Sequence, residues 1–351
     1  MLPSLYARTS PATTTMIAIE ITSFGGPDVL KAVERPKPVP QAKEVVICVE
    51  AAGVARADIL QREGKYPPPA AASDIPGLDV AGTIDSAGSG VTEWKAGDRV
   101  CAILAGGGYA EFCVAPALQV LPIPENWTAI EAVALPENMF TVYDNLVTRA
   151  GLKQGETVLI HGGTSGIGVT AIMLSRACRA TPIATAGSDE KCRASMNFGA
   201  EHSINYKGAD FVSAVRGITG ERGVDLVLDI VGGAYLERNL DCLAHEGRLV
   251  IIATQRGRTA ELDIAKLMTK RGRIMGSTMR ARTPEQKGMV RQRLLEEVWP
   301  LLPAKNPIRP VIDSTFSLLE ARLAHERMES GAHIGKIVLT TDSPGGAARG
   351  A

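Results

Sequence analysis

Short runs of strand-forming residues occupy the first third of the chain. Between Met16 and about Pro122, glycine and proline separate runs at 17–22, 44–52, 80–87, 99–104 and 108–114. Short strands at this spacing are typical of a β-barrel or a β-sandwich. The pattern therefore predicts a mainly β region in this part of the chain.

From residue 157 the pattern changes to strands that alternate with helices. The predicted strands are 157–161, 181–186, 224–230 and 248–253, and helices follow the first three at 167–179, 190–198 and 235–245. This alternation predicts a parallel, doubly wound sheet, and the continuous apolar strands indicate helices on both of its faces. After Pro284 we predict a helix ending near Leu302, an extended piece at 311–313, a helix at 318–328 and a last strand at 336–340.

Length and charge narrow the class of protein. A chain of 351 residues is long enough for two domains. Its 38 basic and 38 acidic side chains balance to zero formal charge, so the charge gives no reason to expect nucleic acid or an anionic membrane as a partner. No apolar run approaches the roughly 18 residues that a membrane helix needs.

Cysteine usage and the two ends of the chain add further expectations. The six cysteines form neither a Cys-x-x-Cys pair nor a dense disulfide framework, which predicts thiols in a reducing cytoplasm. Residues 1–15 and 342–351 lack a periodic apolar pattern, and we predict that both segments are disordered.

The clearest chemical motif is a glycine-rich turn between a predicted strand and a long predicted helix. It reads Gly162-Gly163-Thr164-Ser165-Gly166-Ile167-Gly168. In such a turn, backbone N–H groups and the helix N-terminus bind the pyrophosphate of a dinucleotide. Two glycines fit the pattern G-x-G-x-x-G, but Ser165 replaces the middle one, and the alternative is a tight turn needed only for packing. The predicted cofactor contacts here are Gly163, Ser165, Gly166, Ile167 and Gly168.

The end of the next predicted strand indicates which dinucleotide binds. NAD sites usually carry an acid there for the ribose hydroxyls, whereas this chain has Thr185-Ala186-Gly187-Ser188. Small residues at Gly187 and Ser188 leave room for a 2′-phosphate, and Lys191 offsets its charge. The sequence therefore favours NADPH. In the alternative interpretation, Lys191 only solvates an exposed helix face.

The sequence lacks the residues of two common dehydrogenase chemistries. Zinc-dependent alcohol dehydrogenases hold a catalytic metal with His, Cys or carboxylate ligands. Here the corresponding segment 52–58 has no cysteine, and Leu78 stands where a histidine is expected, so we predict no metal site. The Tyr-x-x-x-Lys motif of short-chain dehydrogenases does not occur in the chain.

Longer motifs resemble one family over nearly all of residues 16–341. The segments that carry the resemblance are 19–27, 57–69, 90–91, 97–100 and 107–111, the second of which reads Ala-Asp-Ile-Leu-Gln-Arg-Glu-Gly-Lys-Tyr-Pro-Pro-Pro. They are similar to the zinc-free quinone oxidoreductase branch of the medium-chain dehydrogenase/reductase superfamily. Ser165 and the stretch 270–278 resemble more narrowly the p53-inducible quinone oxidoreductase (tumour protein p53-inducible protein 3) subgroup.

The resemblance implies an α/β fold with two domains. A GroES-like β-barrel domain would comprise residues 16–136 with 305–341. A Rossmann domain with a doubly wound parallel sheet, residues 137–304, would be inserted between these two parts. NADPH would lie in the cleft between the domains, and quinones would be the substrate class.

The resemblance also implies roles for individual residues. Tyr66 matches a substrate-cleft tyrosine, and Ser165 matches a loop serine near pyrophosphate and substrate, so these two are the candidate catalytic residues. The other implied cofactor contacts are Thr141, Gly187, Ser188, Lys191, Tyr206, Thr254 and Lys336. As alternatives, Tyr206 is an ordinary strand aromatic and Tyr66 a turn residue packed on prolines. Ala55 and His333 depart from the family, which usually has asparagine at both positions.

The predicted function is zinc-independent hydride transfer from NADPH to a quinone, with water or Tyr66 as the proton source. One alternative is reduction of the double bond of an enone, enal or enoyl thioester. Another is an NADPH-binding protein with a structural or regulatory role and little catalysis. A predicted edge strand at 274–279 favours a homodimer, because such edges are normally paired or covered.

Overall fold

The computed structural model describes residues 14–302 and 308–341, and these form three β-sheets with helices around them. The strands are β1 (Thr15–Ile21), β2 (Leu30–Pro36), β3 (Glu44–Val54), β4 (Asp79–Ala87), β5 (Arg99–Ile103), β6 (Phe112–Pro116), β7 (Val120–Pro122), β8 (Thr157–His161), β9 (Thr181–Ala186), β10 (His202–Asn205), β11 (Val224–Asp229), β12 (Leu243–Ile251), β13 (Arg273–Gly276), β14 (Ile312–Ser317) and β15 (Lys336–Thr340). The helices are α1 (Arg56–Arg62), α2 (Ala129–Ala132), α3 (Pro136–Tyr143), α4 (Gly166–Ala177), α5 (Asp189–Asn197), α6 (Phe211–Thr219), α7 (Leu236–Cys242), α8 (Ile264–Lys270), α9 (Pro284–Glu297) and α10 (Ala321–Glu329).

The parallel sheet has the strand order β10-β9-β8-β11-β12-β13. All five neighbouring pairs are parallel, which confirms the doubly wound sheet. Strands β8 and β9 have the predicted bounds, whereas β10 and α6 were not predicted. The predicted helix 235–245 was wrong at its end, because α7 stops at Cys242 and β12 starts at the next residue. Glu246, with φ of 64°, and Gly247 do not favour continuation of a helix.

The seven-stranded sheet has the order β14-β15-β3-β4-β5-β7, with β6 also paired to β3, and forms the GroES-like barrel. Its strands pair antiparallel except for β14 and β15, which are parallel. Strands β14 and β15 come from the far end of the sequence, and β15 pairs antiparallel with β3. The predicted strand 108–114 was wrong at its start, because β6 begins at Phe112 after a turn in which Gly106 and Gly107 have positive φ. Strand β2 was not predicted, and it pairs with β1 in a separate hairpin.

Helix α3 joins the two large sheets through a shared core. Its buried Met139, Phe140 and Tyr143 belong to one apolar cluster that contains Ala81 of the barrel and Leu226 of the parallel sheet. This shared core fixes the two sheets relative to each other and leaves a cleft beside α3. The domain boundaries at 136/137 and 304/305 stay predictions. The second boundary, the tail 342–351 and residues 1–13 of the first predicted extension lie outside the described residues.

Candidate cofactor and substrate site

The glycine-rich turn links β8 to α4 and leaves amide groups available at the start of the helix. Ser165 is the N-cap: its hydroxyl accepts from the Gly168 amide at 3.0 Å and donates to the Gly162 carbonyl at 2.8 Å. Ser165 and Gly335 form a parallel bridge, which directs the Gly166 amide towards Gly335, whereas the Ile167 amide donates no hydrogen bond within the described residues. Amide groups at a helix N-terminus form a site for an anion such as a pyrophosphate.

Close packing explains two of the glycines in this turn. A side chain at Gly168 would collide with the Gly162 carbonyl oxygen, and one at Gly163 would lie 2.6 Å from the Ala184 methyl on β9. The turn therefore needs glycine for the fold as well as for ligand approach.

The predicted phosphate pocket comes together at the ends of β9 and β10. A Cβ atom on Gly187 would lie 2.8 Å from the Tyr206 hydroxyl, and Ser188 caps α5 by accepting from the Lys191 amide at 3.2 Å. The Lys191 ammonium reaches across to the barrel and donates to the Gly331 carbonyl at 2.6 Å and to the His333 carbonyl at 2.9 Å. Lys191 thus does more than solvate a helix face: it ties the parallel sheet to the loop before β15.

Helix α3 and the loop before β15 form the other walls around the turn. A side chain at Gly166 would meet the Asn138 amide at 2.7 Å, which places the start of α3 against the start of α4. Gly335 donates its amide to the Thr164 carbonyl at 2.8 Å. Thr141 lies one helical turn after Asn138 and is partly exposed. Thr254 is exposed beyond β12, and its Cα would lie 2.8 Å from a Cβ atom on Gly232, which follows β11.

Lys336 lies in a buried cluster of carboxylates at the inner end of the cleft. Its ammonium donates to Asp79 at 2.8 Å and lies 3.9 Å from Glu137. Burial alone would lower the pKa of Lys336, but the carboxylates more than offset this, and the pKa lies above its ordinary value. Burial, partly offset by Lys336, raises the pKa of Glu137 to about 7. The ammonium is thus paired within the protein and 4% exposed, which limits direct contact with a cofactor.

A third carboxylate, Asp58, is held by a chain of hydrogen bonds through the barrel. It accepts from the amides of Ala55 and Gly77 at 2.8 and 3.0 Å, and from the Tyr109 hydroxyl at 3.3 Å. Burial raises the pKa of Asp58 to about 6. Ala55 therefore contributes its backbone here, although its methyl group cannot make the polar contact of the family's usual asparagine.

The directions of the hydrogen bonds that join Tyr109, His325 and Arg62 follow from the chemistry of the Arg62 guanidinium. A guanidinium only donates, so His325 Nδ1 must accept from Arg62 at 3.2 Å, and Nε2–H then donates to the Tyr109 hydroxyl at 3.1 Å. Burial lowers the pKa of His325 to about 3, which keeps the ring neutral. The chain therefore has a fixed direction that ends at Asp58.

Tyr66 lies half-buried on the barrel side of the cleft. The Arg280 guanidinium carbon is 5.2 Å from the centre of its ring, and the Tyr66 carbonyl accepts from Arg280 at 3.1 Å. Burial raises the pKa of Tyr66, and Arg280 only partly offsets this. The hydroxyl is therefore protonated at neutral pH.

No metal centre forms in the described ranges: no group of three or more His, Cys, Asp or Glu side chains is arranged to hold an ion. The neighbouring carboxylates of Asp79 and Glu137 instead surround the Lys336 ammonium. At the other departure from the family, His333 Nδ1 is buried without a hydrogen-bond partner in the described chain. Burial lowers the pKa of His333, and neighbouring Lys191 lowers it further.

Several residues of this site were not predicted, among them Asp58, Asp79, Glu137 and Arg280. The available signal was the presence of a charged residue at the start of an apolar strand or in a buried helical turn, as at Asp79 before Val80. A charge in such a place needs a partner. Its partner lies far away in the sequence. The signal therefore indicates that a buried charge cluster exists but does not identify the other residues in it.

Comparisons with known proteins agree with this arrangement. A family model described as the alcohol dehydrogenase GroES-like domain matches residues 41–125, and one described as a zinc-binding dehydrogenase matches residues 198–339. The chain is 33% identical to the quinone oxidoreductase of Rattus norvegicus over 330 residues, which cover 92% of this chain and 97% of the relative. The human quinone oxidoreductase is 32% identical with the same coverage.

Solved structures show the same fold. A mycobacterial quinone oxidoreductase, 30% identical, has a TM-score of 0.80 and covers 93% of this chain and 99% of its own. A mycobacterial protein complexed with NADPH, also 30% identical, has a TM-score of 0.82 with the same coverage. These matches do not distinguish the p53-inducible subgroup, which stays a prediction. The chain is an oxidoreductase and belongs to the quinone oxidoreductase family of the medium-chain dehydrogenase/reductase superfamily.

Proposed function

We propose that this oxidoreductase transfers hydride from NADPH to a quinone, without zinc, in the cleft between the barrel and the parallel sheet. One observation carries the proposal. The amides at the start of α4 follow β8, and Gly187 and Lys191 follow β9, the strand that pairs with β8. An anion site and a cationic side chain beyond the ends of adjacent strands fit the two phosphate positions of NADPH.

The residues present fit the cofactor. The Ile167 amide at the start of α4 is available for the pyrophosphate, and the Tyr206 hydroxyl lies beside Gly187, at the predicted position of the 2′-phosphate. An ammonium has three N–H donors, and Lys191 uses two on carbonyls, which leaves the third for a phosphate oxygen. Bound NADPH supplies the hydride, and the chain supplies position and charge.

The acceptor side needs little from the protein. A quinone is electrophilic enough to accept hydride without a Lewis acid, and the residues here do not fit zinc because an ammonium occupies the carboxylate cluster. The Tyr66 ring provides a flat apolar wall, and its protonated hydroxyl can donate to the oxygen that gains charge. Water is the alternative donor.

Oxidation of NADPH and NADH by the purified protein tests this function. The acceptors are a benzoquinone, an ortho-quinone and an enone, with a reaction lacking acceptor as the control, and each reaction is run with and without a chelator. We expect quinone-dependent NADPH oxidation that the chelator does not change. Loss of activity with chelator contradicts zinc independence, and NADPH binding without turnover of any acceptor supports the non-catalytic alternative.

One observation favours the enone or enoyl double-bond reductase as a second candidate. That reaction needs a proton delivered to carbon, and the Glu137 carboxyl, with its pKa of about 7, is 21% exposed beside Lys336. It is therefore partly protonated at neutral pH at the inner end of the cleft. Faster turnover of the enone than of either quinone would favour this candidate.

Replacing Lys191 with methionine is expected to reduce the preference for NADPH over NADH by about 10- to 100-fold. A charge-assisted hydrogen bond to phosphate contributes about 1.5–3 kcal/mol. NADH has no 2′-phosphate, so its binding does not depend on this hydrogen bond. Fluorescence titration with both cofactors measures the change. Arg193, exposed on the same helix, gives the control Arg193→Met, which should retain the preference. An equal loss of NADPH and NADH affinity in Lys191→Met would contradict a phosphate contact.

We propose a homodimer formed through β13. This strand lies at the end of the parallel sheet with one edge unpaired, and Ile264 and Met268 on the adjacent α8 are 63% and 71% exposed. The regular strand is shorter than predicted, because it ends at Gly276.

The variant Ile264→Asp/Met268→Asp is expected to convert dimers to monomers, because two carboxylates cannot be buried in a symmetric apolar contact. Sedimentation velocity measures the state. Met196→Asp is the control, since Met196 is 50% exposed on α5 and lies near the opposite end of the sheet. A wild-type protein that sediments as a monomer at micromolar concentration would refute the dimer.

The cysteine chemistry is consistent with our proposal of a cytoplasmic location. All six cysteines lie in the described part of the chain, and no disulfide forms there. Burial raises the pKa of Cys101, Cys113 and Cys242, so these thiols are poor nucleophiles. Within the described residues, no helix has both the length and the apolar character needed to cross a bilayer.

A further inference from the structure

Arg280 connects the parallel sheet to two loops of the barrel. It follows β13, is 5% exposed, and donates to three acceptors: the Ala105 carbonyl at 2.8 Å, the Tyr66 carbonyl at 3.1 Å and the Gln61 amide oxygen at 2.5 Å. Ala105 lies after β5, Gln61 lies in the last turn of α1 and Tyr66 lies in the loop that follows α1, so one side chain holds both segments of the barrel. Such a buried charge persists only where its donors are satisfied.

The Gln61 acceptor and the Arg280 backbone are themselves held by hydrogen bonds. The Gln61 amide group donates to the Asp74 carbonyl at 2.9 Å, which orients its oxygen towards Arg280. The buried Lys287 donates to the Arg280 carbonyl at 3.2 Å and holds the backbone from the other side. Burial, followed by the charges of Arg280 and Arg282, lowers the pKa of Lys287 to about 8. The guanidinium therefore occupies one position.

The same guanidinium orients the Tyr66 ring. It lies over the ring at 5.2 Å while its Nη1 holds the carbonyl of the same residue, so backbone and side chain are restrained together. Lysine cannot reproduce this arrangement, because a single ammonium cannot reach three separated acceptors and also stack on a ring.

We propose that Arg280 is a positioning residue that orders Tyr66 and thereby sets which acceptors the cleft binds. This inference rests on the proposed function, in which the Tyr66 ring is the wall of the acceptor site. Arg280 does not take part in hydride or proton transfer. Its loss therefore changes acceptor binding and selectivity, while cofactor affinity stays the same.

The test compares Arg280→Met and Arg280→Lys with Arg282→Met. Arg282 lies two residues away and pairs with Asp144 at 2.6 Å, without contact to Tyr66. We expect both Arg280 variants to raise the acceptor KM by about tenfold, to change kcat less, and to shift the selectivity between a benzoquinone and a bulky ortho-quinone. NADPH affinity should stay within about twofold. Arg280→Lys keeps the charge and provides the measurement where Arg280→Met does not fold.

Two further measurements separate this inference from the proposed function. In a Tyr66→Leu background, Arg280→Lys should leave acceptor selectivity unchanged, since the two residues act through one contact. A carbon-13 label on tyrosine reports the Tyr66 ring without turnover, and its resonance should broaden in Arg280→Lys. An unchanged resonance, or an equal selectivity shift in Arg282→Met, overturns the positioning role. Absence of turnover in the wild type refutes the proposed function instead, and the resonance still decides the role of Arg280.

Discussion

Replacing Lys336 with methionine is expected to lower the free energy of unfolding by about 3–5 kcal/mol, because it removes the cation from a buried ion cluster. The carboxylates of Asp79 and Glu137 would stay buried without a charge partner. Both would bind protons more readily in the folded state than in the unfolded state, so the loss should be larger at pH 8 than at pH 6. Urea unfolding at the two pH values measures it.

The direction of this pH dependence is already present in the wild type. The pKa of Glu137 is about 7 in the folded protein against an ordinary value of 4.5, so its contribution to stability falls as pH rises between those values. Removing Lys336 raises the pKa of Glu137 in the folded protein further, so the contribution of Glu137 to stability continues to decrease at higher pH. Lys266→Met is the control: Lys266 pairs with Asp241 at the surface at 2.9 Å, and its loss should change stability by less than about 1 kcal/mol. An equal loss of stability in Lys336→Met and Lys266→Met would contradict the expectation that the buried ion cluster contributes more than the surface ion pair.

Replacing Gly168 with alanine is expected to weaken NADPH binding by about 10- to 100-fold, the effect of losing one or two charge-assisted hydrogen bonds. The added methyl group would collide with the Gly162 carbonyl oxygen and would lie 2.8 Å from the Gly163 Cα. Backbone atoms cannot rotate away as side chains do, so the turn must open. Opening misaligns the amides of Gly166 and Ile167. Cofactor fluorescence titration measures the affinity.

Gly217→Ala provides the matched glycine control. Gly217 lies inside α6, has no neighbouring atom within 4 Å of an added Cβ and does not have a positive φ. Alanine there should stabilise the helix by up to about 1 kcal/mol and leave NADPH affinity unchanged. An NADPH affinity in Gly168→Ala within twofold of the wild type would show that the turn tolerates the methyl group and is not the cofactor site.

The sequence predicts those parts of the fold where local pattern and tertiary burial agree. Strand β8 was predicted with correct bounds because its apolar run is buried and a glycine turn ends it. Strand β10 was missed because His202–Asn205 has only Ile204 fully buried, so it lacks the run of a covered strand. The boundary between α7 and β12 lies at Leu243, whose backbone is already extended, and the apolar pattern does not encode this change of conformation.

The candidate site likewise contains a part that the sequence predicts and a part that it does not. The glycine-rich turn was predicted because its glycines and the capping Ser165 form one continuous motif, from Gly162 to Gly168. The ion cluster was not, because Asp79, Glu137 and Lys336 meet only after barrel and parallel sheet have assembled. The roles assigned to individual residues await the variants described above.

The pairing of β15 with β3 imposes an order on folding. Ile337 lies opposite Val54, and the whole parallel sheet is encoded between them. During synthesis, β3 therefore leaves the ribosome long before its neighbour exists, whereas β8 to β13 can pair over much shorter separations. The edge of β3 that pairs with β15 therefore stays open to other chains until the last described strand has been made. Variants that slow this late step should aggregate from nascent chains even when their finished fold is stable.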